Sequence, residues 1–288
     1  MASDYTDSGT GDVLFRNDTS GQLQFAEMSA GTFTGFGFAT GNLDGFLYVG
    51  HGDVNGDGYA DVVVQDLNSG TIYVGLQNGS GTPSWIATPP VPGWQGVGVG
   101  DIAGDGFADI VIQNQANGAI EYYDAHSGAF TTVAGSTASQ VVGVGDVNGQ
   151  GNDDIVLQNP ATGEIDYLDM AGGVNNGLVT VATTPGWQVR AVGDLTGNGY
   201  ADIVIENGAG QTSFANMQGG VFNGWGEATL PLSPDFLITD AVDLFNNGHA
   251  DLIVQQQSTG ATTYAEEGSN GFLQFGVVAN LGPNWTAV

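Results

Sequence analysis

Residues 53–64 read DVNGDGYADVVV, an acidic turn punctuated by glycine that runs directly into a β-branched apolar segment. The turn half carries Asp or Asn at its first, third, fifth and ninth positions. The second half suits a strand buried on both faces. The same register, an Asp followed eight residues later by another, recurs five more times. The copies are DYTDSGTGD at 4–12, DIAGDGFAD at 101–109, DVNGQGNDD at 146–154, DLTGNGYAD at 194–202 and DLFNNGHAD at 243–251. Their starts lie 49, 48, 45, 48 and 49 residues apart. A period near 48 therefore accounts for all 288 residues and predicts one domain, 1–288, made of six repeats.

Each repeat reads as four short strands. Glycine-rich segments such as QGVGVG (95–100) and QVVGVG (140–145) precede the acidic turns. Glycine weakens a strand unless another backbone must come close, as it does for the innermost strand of a propeller blade. Apolar runs such as DVVVQ and DIVIQ follow the turns. A hairpin signal of the NSG or ATG kind comes next, and then a third strand. That strand places an aromatic four residues after the hairpin Gly at Phe25, Tyr122, Tyr167, Phe214 and Tyr264. A variable outer strand completes the unit. The fold predicted is all-β, a six-bladed β-propeller of four-stranded antiparallel blades. The ending PNWTAV resembles PGWQGVG (92–98), so the C-terminus is expected to supply the first strand of blade 1 and to close the ring.

Composition narrows the partners. There are 31 acidic residues, two arginines (Arg16 and Arg190), no Lys and no Cys, for a net charge of −29. Nucleic acid needs a basic footprint, and none exists. An anionic membrane surface would repel the chain, and no stretch is long and apolar enough to insert. No signal peptide is read at the start. Divalent cations and neutral ligands remain.

The acidic turns carry the chemistry of a calcium loop. Calcium takes six to eight oxygen ligands. Loop 53–61 offers Asp53, Asn55, Asp57, the Tyr59 carbonyl and Asp61. Loop 101–109 keeps Asp101, Asp105 and Asp109; loop 146–154 keeps Asp146, Asn148 and Asp154. Loop 194–202 keeps Asp194, Thr196, Asn198 and Asp202. Loops 4–12 and 243–251 have weaker donors at intermediate positions and are expected to hold no metal. The alternative throughout is that Asp and Asn cap the turn backbone without metal.

The opposite face carries a second pattern. Seven residues before the loop Asp stand Phe46, Trp94, Trp187, Phe236 and, across the chain ends, Trp285; Ser139 departs. A long polar residue and an amide recur at the ends of the second strands, as in Gln113–Asn114, Glu206–Asn207 and Arg16–Asn17. An indole beside amides and carboxylates suits a sugar, whose C–H face packs on the ring while its hydroxyls take directional bonds. The bland alternative has the aromatics wedged between blades and the polar row satisfying turn backbones.

The repeats resemble the FG-GAP/VCBS type found in integrin α-subunit propellers and many secreted bacterial proteins, most closely at 53–64. That resemblance implies calcium in the acidic loops and ligands on the opposite face. It also implies a protein that is secreted or held at the cell surface. The expected function is non-enzymatic: a calcium-stabilised lectin or adhesin for neutral glycans or a surface glycoprotein. The alternatives are an integrin-head-type adhesion module and a calcium-dependent polysaccharide lyase or hydrolase.

Overall fold

The computed structural model describes residues 3–79, 83–226, 232–268 and 271–288. The fold is the six-bladed β-propeller that the repeat predicts, and every blade is a four-stranded antiparallel sheet. The chain divides into two compact units. One holds Gly45–Asp146 and Gln150–Pro185; the other holds Ser3–Asp44, Val147–Gly149 and Gly186–Val288. Among the described residues, no helix is long and apolar enough to cross a membrane.

The second unit begins with blade 1, formed by β1 (Val13–Asn17), β2 (Leu23–Ser29) and β3 (Thr32–Ala39). The first unit contains the next three blades. Blade 2 is β4 (Phe46–Gly52), β5 (Asp61–Asp66), β6 (Ile72–Leu76) and β7 (Ser84–Ala87). Blade 3 is β8 (Trp94–Gly100), β9 (Asp109–Asn114), β10 (Ile120–Asp124) and β11 (Ala129–Ala134). Blade 4 is β12 (Gln140–Gly145), β13 (Asp154–Gln158), β14 (Glu164–Ala171) and β15 (Val174–Thr183). The second unit continues with blade 5: β16 (Trp187–Gly193), β17 (Asp202–Asn207), β18 (Thr212–Gln218) and β19 (Val221–Gly226). Blade 6 is β20 (Phe236–Val242), β21 (Asp251–Gln256), β22 (Ala261–Glu266) and β23 (Gln274–Asn280). The last strand, β24 (Trp285–Ala287), pairs antiparallel with β1, placing Phe15 opposite Ala287 and Asn17 opposite Trp285. The two ends of the chain thus share blade 1.

Burial follows the strand reading. The β-branched second strands are buried along almost their whole length, whereas the outer strand β7 is exposed throughout. In the first unit Val54, Val63, Ile72, Ile110 and Ile112 form one core, and Val111, Ile120, Ile155 and Leu168 form the next. In the second unit Leu195, Val204, Leu252 and Val254 pack together, as do Phe15, Met28, Leu244 and Ile253. Glycines in the first strands have the expected cause. A Cβ on Gly96 would lie 2.6 Å from a Val49 methyl, and one on Gly98 would lie 2.7 Å from Val144. Neighbouring first strands approach too closely for any side chain there.

Candidate functional site

The six acidic loops fold as one repeated turn. The first Asp folds back on the loop: Asp53 Oδ1 accepts from the Gly56 and Asp57 amides at 2.7 and 3.0 Å, and Oδ2 from Gly58 at 2.9 Å. Asp101, Asp146 and Asp194 make the same bonds to the residues four and five ahead. So do Asp4 and Asp243, in the two loops with the poorest donor sets. The turn is therefore a property of the carboxylate cap, common to loops with good and poor ligand patterns alike.

The ninth residue ties the loop to the rest of its blade. Asp61 is fully buried and accepts from Val54 N at 3.0 Å and from Gln77 N, beyond the third strand, at 2.8 Å. Asp12, Asp202 and Asp251 span the same gap, to Met28, Met217 and Glu267. Asp154 reaches Met170 in the same way. Burial strips these carboxylates of water and pushes Asp12, Asp61, Asp109 and Asp251 up to about 7, and Asp202 to about 6.

The fourth position of every loop has positive φ. It is Gly56, Gly104, Gly149 and Gly197 in four loops and Asp7 and Asn246 in the other two, the residue types that tolerate this region. Gly has a second reason to be there. The Phe107 ring, at the seventh position of loop 101–109, lies over Gly56, 2.5 Å from where a Cβ would stand. Tyr200 covers Gly149 and His249 covers Gly197 in the same way. His249 Nδ1 is also 2.9 Å from the Leu195 carbonyl. The sequence signal was present, an aromatic or His after the sixth-position Gly, but its contact lies one repeat away.

The donor chemistry of these loops fits a hard cation. The side chains offer oxygens, the buried carboxylates gain from positive charge, and Asp109 Oδ1 is buried without a hydrogen-bond partner. Blade 3 explains that orphan. Its β10 ends at Asp124 and turns at once, with Ser127 N and Oγ on the Asp124 carboxylate at 2.8 and 2.6 Å, so no third-strand amide reaches Asp109. The cage is not closed, however. Among the described residues no three carboxylate or imidazole side chains are grouped for a metal. In loop 53–61, Asn55 Nδ2 donates to Asp57 Oδ2 at 3.0 Å, and Asp57 Oδ1 accepts from Tyr59 N. In loop 194–202, Thr196 N donates to Asp202, and Asn198 Nδ2 donates to the Met217 carbonyl. Asp105 caps Phe107 N, and Asn148 lies in the turn that Asp146 caps. An ion would compete with these bonds for oxygen.

Each second strand starts at the acidic loop and ends at the opposite face. From Asp61 to Asp66, β5 covers about 17 Å at ~3.3 Å per residue. There the structure divides the polar row that the sequence grouped together. Gln113 is buried; its Nε2 donates to the Ser139 carbonyl of the next blade at 2.9 Å, and its Oε1 accepts from Val141 N at 3.2 Å. Gln65 grips Trp94 O and Gly96 N in the same manner, and Gln255 grips Trp285 O and Ala287 N. Glu206 is buried as well. It accepts from Ile238 N at 3.3 Å and pairs with Arg190 Nε at 3.4 Å, while burial raises its pKa. Gln113 and Glu206 thus act as staples between blades, and Gln113 also borders a surface depression.

The amides that follow cap turns. Asn114 Oδ1 accepts from Ala116 N, Asn17 Oδ1 from Thr19 N and Ser20 N, and Asn207 Oδ1 from Ala209 N. Trp94, Trp187 and Trp285 stand opposite Asn114, Asn207 and Asn17, and all three indoles are half-buried. Arg16 lies opposite Thr286. Trp94 and Trp285 rest on the cores of their units. One of them also opens onto a cavity. Trp94 borders a pocket of about 260 Å³ together with Asp66, Asn68, Ser69, Gln95 and Gln115. A second, largely polar depression of about 460 Å³ lies beside it, lined by Gln113, Asn114, Asn117, Ser136 and Thr137 together with Ala116 and Ala138, and Gln115 borders both.

Residues 53–112, which span loops 53–61 and 101–109, match the FG-GAP-like repeat model. A search of curated proteins finds no match to the sequence. Among solved structures, one similar fold is an Agrocybe aegerita lectin studied for specific recognition of non-reducing terminal N-acetylglucosamine. It aligns over 98% of this chain and 80% of its own, at 18% identity and a TM-score of 0.61. Another comes from a nidogen/laminin complex, with 92% of each chain covered, 11% identity and a TM-score of 0.64. At these identities the likeness is one of fold.

Proposed function

We propose that this protein is a non-enzymatic, multivalent carbohydrate-binding propeller that works outside the cell, secreted or at the cell surface. The observation that carries the reading is the pocket beside Trp94. It joins a half-buried indole to the Asp66 carboxylate, the amides of Gln65, Asn68, Gln95 and Gln115 and the Ser69 hydroxyl, and at about 260 Å³ it suits a single sugar ring. A net charge of −29 directs the choice toward saccharides that carry no negative charge. The fold shared with a lectin supports the reading. One shallow site buries little surface, so useful affinity comes from several repeats engaging one glycan. The test is a glycan array with wild-type protein and Trp94→Ala, with circular dichroism as the folding control. Wild type should bind multivalent glycans and the variant should lose most of that signal. Equal binding by both, or none by either, would count against the reading.

Calcium is proposed as a scaffold ion. Asp53, Asn55, Asp57 and Asp61, with the Tyr59 carbonyl, would hold it in loop 53–61, and the charge it supplies would neutralise carboxylates that the fold buries. Titrating calcium into chelated protein should raise the melting temperature. Asp57→Ala should reduce the uptake measured by calorimetry.

One observation favours adhesion to protein as the second reading. Outer strands expose large apolar side chains, among them Phe36, Trp85, Ile86, Phe275 and Val277, and a nidogen/laminin complex supplies a similar fold. If every glycan fails, these outer strands are where a partner should be sought.

A further inference from the structure

We propose that the Trp94 pocket selects amino sugars whose nitrogen is free and protonated, such as glucosamine units, over their N-acetylated counterparts. This inference rests on the carbohydrate-binding reading and names the class of sugar. Asp66 is the one charged residue among those lining the pocket. Its carboxylate accepts from Asn68 N and Ser69 Oγ, each at 2.8 Å, one bond to each oxygen. A carboxylate offers about four acceptor positions, so capacity remains for a ligand. The same two bonds lower its pKa, beginning with the Asn68 amide, and keep it ionised. Neither arginine of the chain borders the cavity, so nothing in the lining neutralises Asp66.

An anion and an indole that line one pocket suit a cation. The indole quadrupole attracts an ammonium, the carboxylate pairs with it, and the sugar C–H face packs on the same ring. Acetylation removes the charge and leaves the Asp66 charge unanswered. A uronic or sialic acid is repelled outright. The neighbouring amides of Gln95 and Gln115 are indifferent to charge and serve either sugar through its hydroxyls. A related juxtaposition occurs in the second unit. Asp235 directly precedes Phe236, and Ser258 Oγ at 2.6 Å and Gln256 Nε2 at 2.8 Å hold its carboxylate. A polymer of glucosamine units is therefore better matched to the Trp94 pocket than one of N-acetylglucosamine.

The test uses the full chain, a glucosamine hexamer and an N-acetylglucosamine hexamer. Calorimetry is run at a pH where the amine is protonated, in low and in moderate salt. Wild type should bind the glucosamine hexamer roughly tenfold more tightly, and salt should shrink that margin. Asp66→Asn keeps the turn, because Asn17 at the equivalent position accepts from both Thr19 N and Ser20 Oγ through its one side-chain oxygen. It should bring the two hexamers to similar affinity. Trp94→Ala should weaken both. A tenfold margin that survives Asp66→Asn assigns the preference to the bulk charge of the protein and overturns the proposal. So does wild type that binds both hexamers equally. Normal binding of both hexamers by Trp94→Ala instead removes the carbohydrate pocket itself, so the two failures are distinct.

Discussion

Replacing Gln65 by Leu isolates the staple that joins one blade to the next. The side chain is 1% exposed. Its Nε2 donates to Trp94 O at 3.0 Å and Gly70 O at 3.2 Å, and its Oε1 accepts from Gly96 N at 3.0 Å. Leucine has a similar volume and is apolar, so the packing loss is small. What changes is that Trp94 O and Gly96 N lose a partner in a region closed to water. Each such orphan costs ~1–3 kcal/mol, so the substitution should cost about 3–5 kcal/mol. At ~2–4 °C per kcal/mol for a chain of this size, the melting temperature should fall by roughly 10 °C. Thermal and urea unfolding of Gln65→Leu beside Asn68→Ala tests this. Asn68 is exposed in the same hairpin, and its loss should stay within ~0.5 kcal/mol. If Gln65→Leu unfolds like wild type, the bonds between blades contribute nothing and the stapling argument fails for Gln113 and Gln255 as well.

Stability of the chelated protein should fall as pH rises from about 4 to about 7. Asp12, Asp61, Asp109 and Asp251 keep their protons up to about 7 in the folded state, whereas the unfolded chain releases them near the ordinary value of ~3.9. The folded state thus binds more protons across that window, and its advantage is full below it and gone above it. Melting curves in chelator at about pH 5 and pH 8 check the sign, and a higher melting temperature at the upper pH would refute it. Calcium should flatten the slope by taking the place of protons. Gly56→Val should destabilise by about 2–3 kcal/mol, since φ is +75° and Phe107 occupies the space a side chain needs. Gly56→Asn should be milder, as Asn246 at the equivalent position suggests, and denaturant midpoints rank the two. Deleting residues 285–288 should destabilise blade 1, because β24 covers β1 and Ala287 is buried in its core. Unchanged unfolding of the truncated chain would contradict that pairing.

Much of this protein is determined locally, and those parts were legible in the sequence. The carboxylate cap of Asp53, the positive-φ positions and the β-branched run after them act within about a dozen residues. Six copies at one period then specify six blades, because no single repeat can bury its apolar face alone. The likeness of the last residues to the segment at Trp94 was enough to pair β24 with β1. The polar row was not decidable in this way. Gln113 and Asn114 are neighbours in one motif and both border the same depression, yet one spends its amide on Ser139 and Val141 of the next blade while the other caps a turn. Which way each faces depends on where the next blade lies, more than twenty residues along the chain, and on which amides it leaves unpaired there. The Phe107 ring over Gly56 and the orphaned Asp109 oxygen have the same origin. Sequence specifies the chemical groups each repeat carries, while the packing of adjacent repeats decides which of them remain for a ligand.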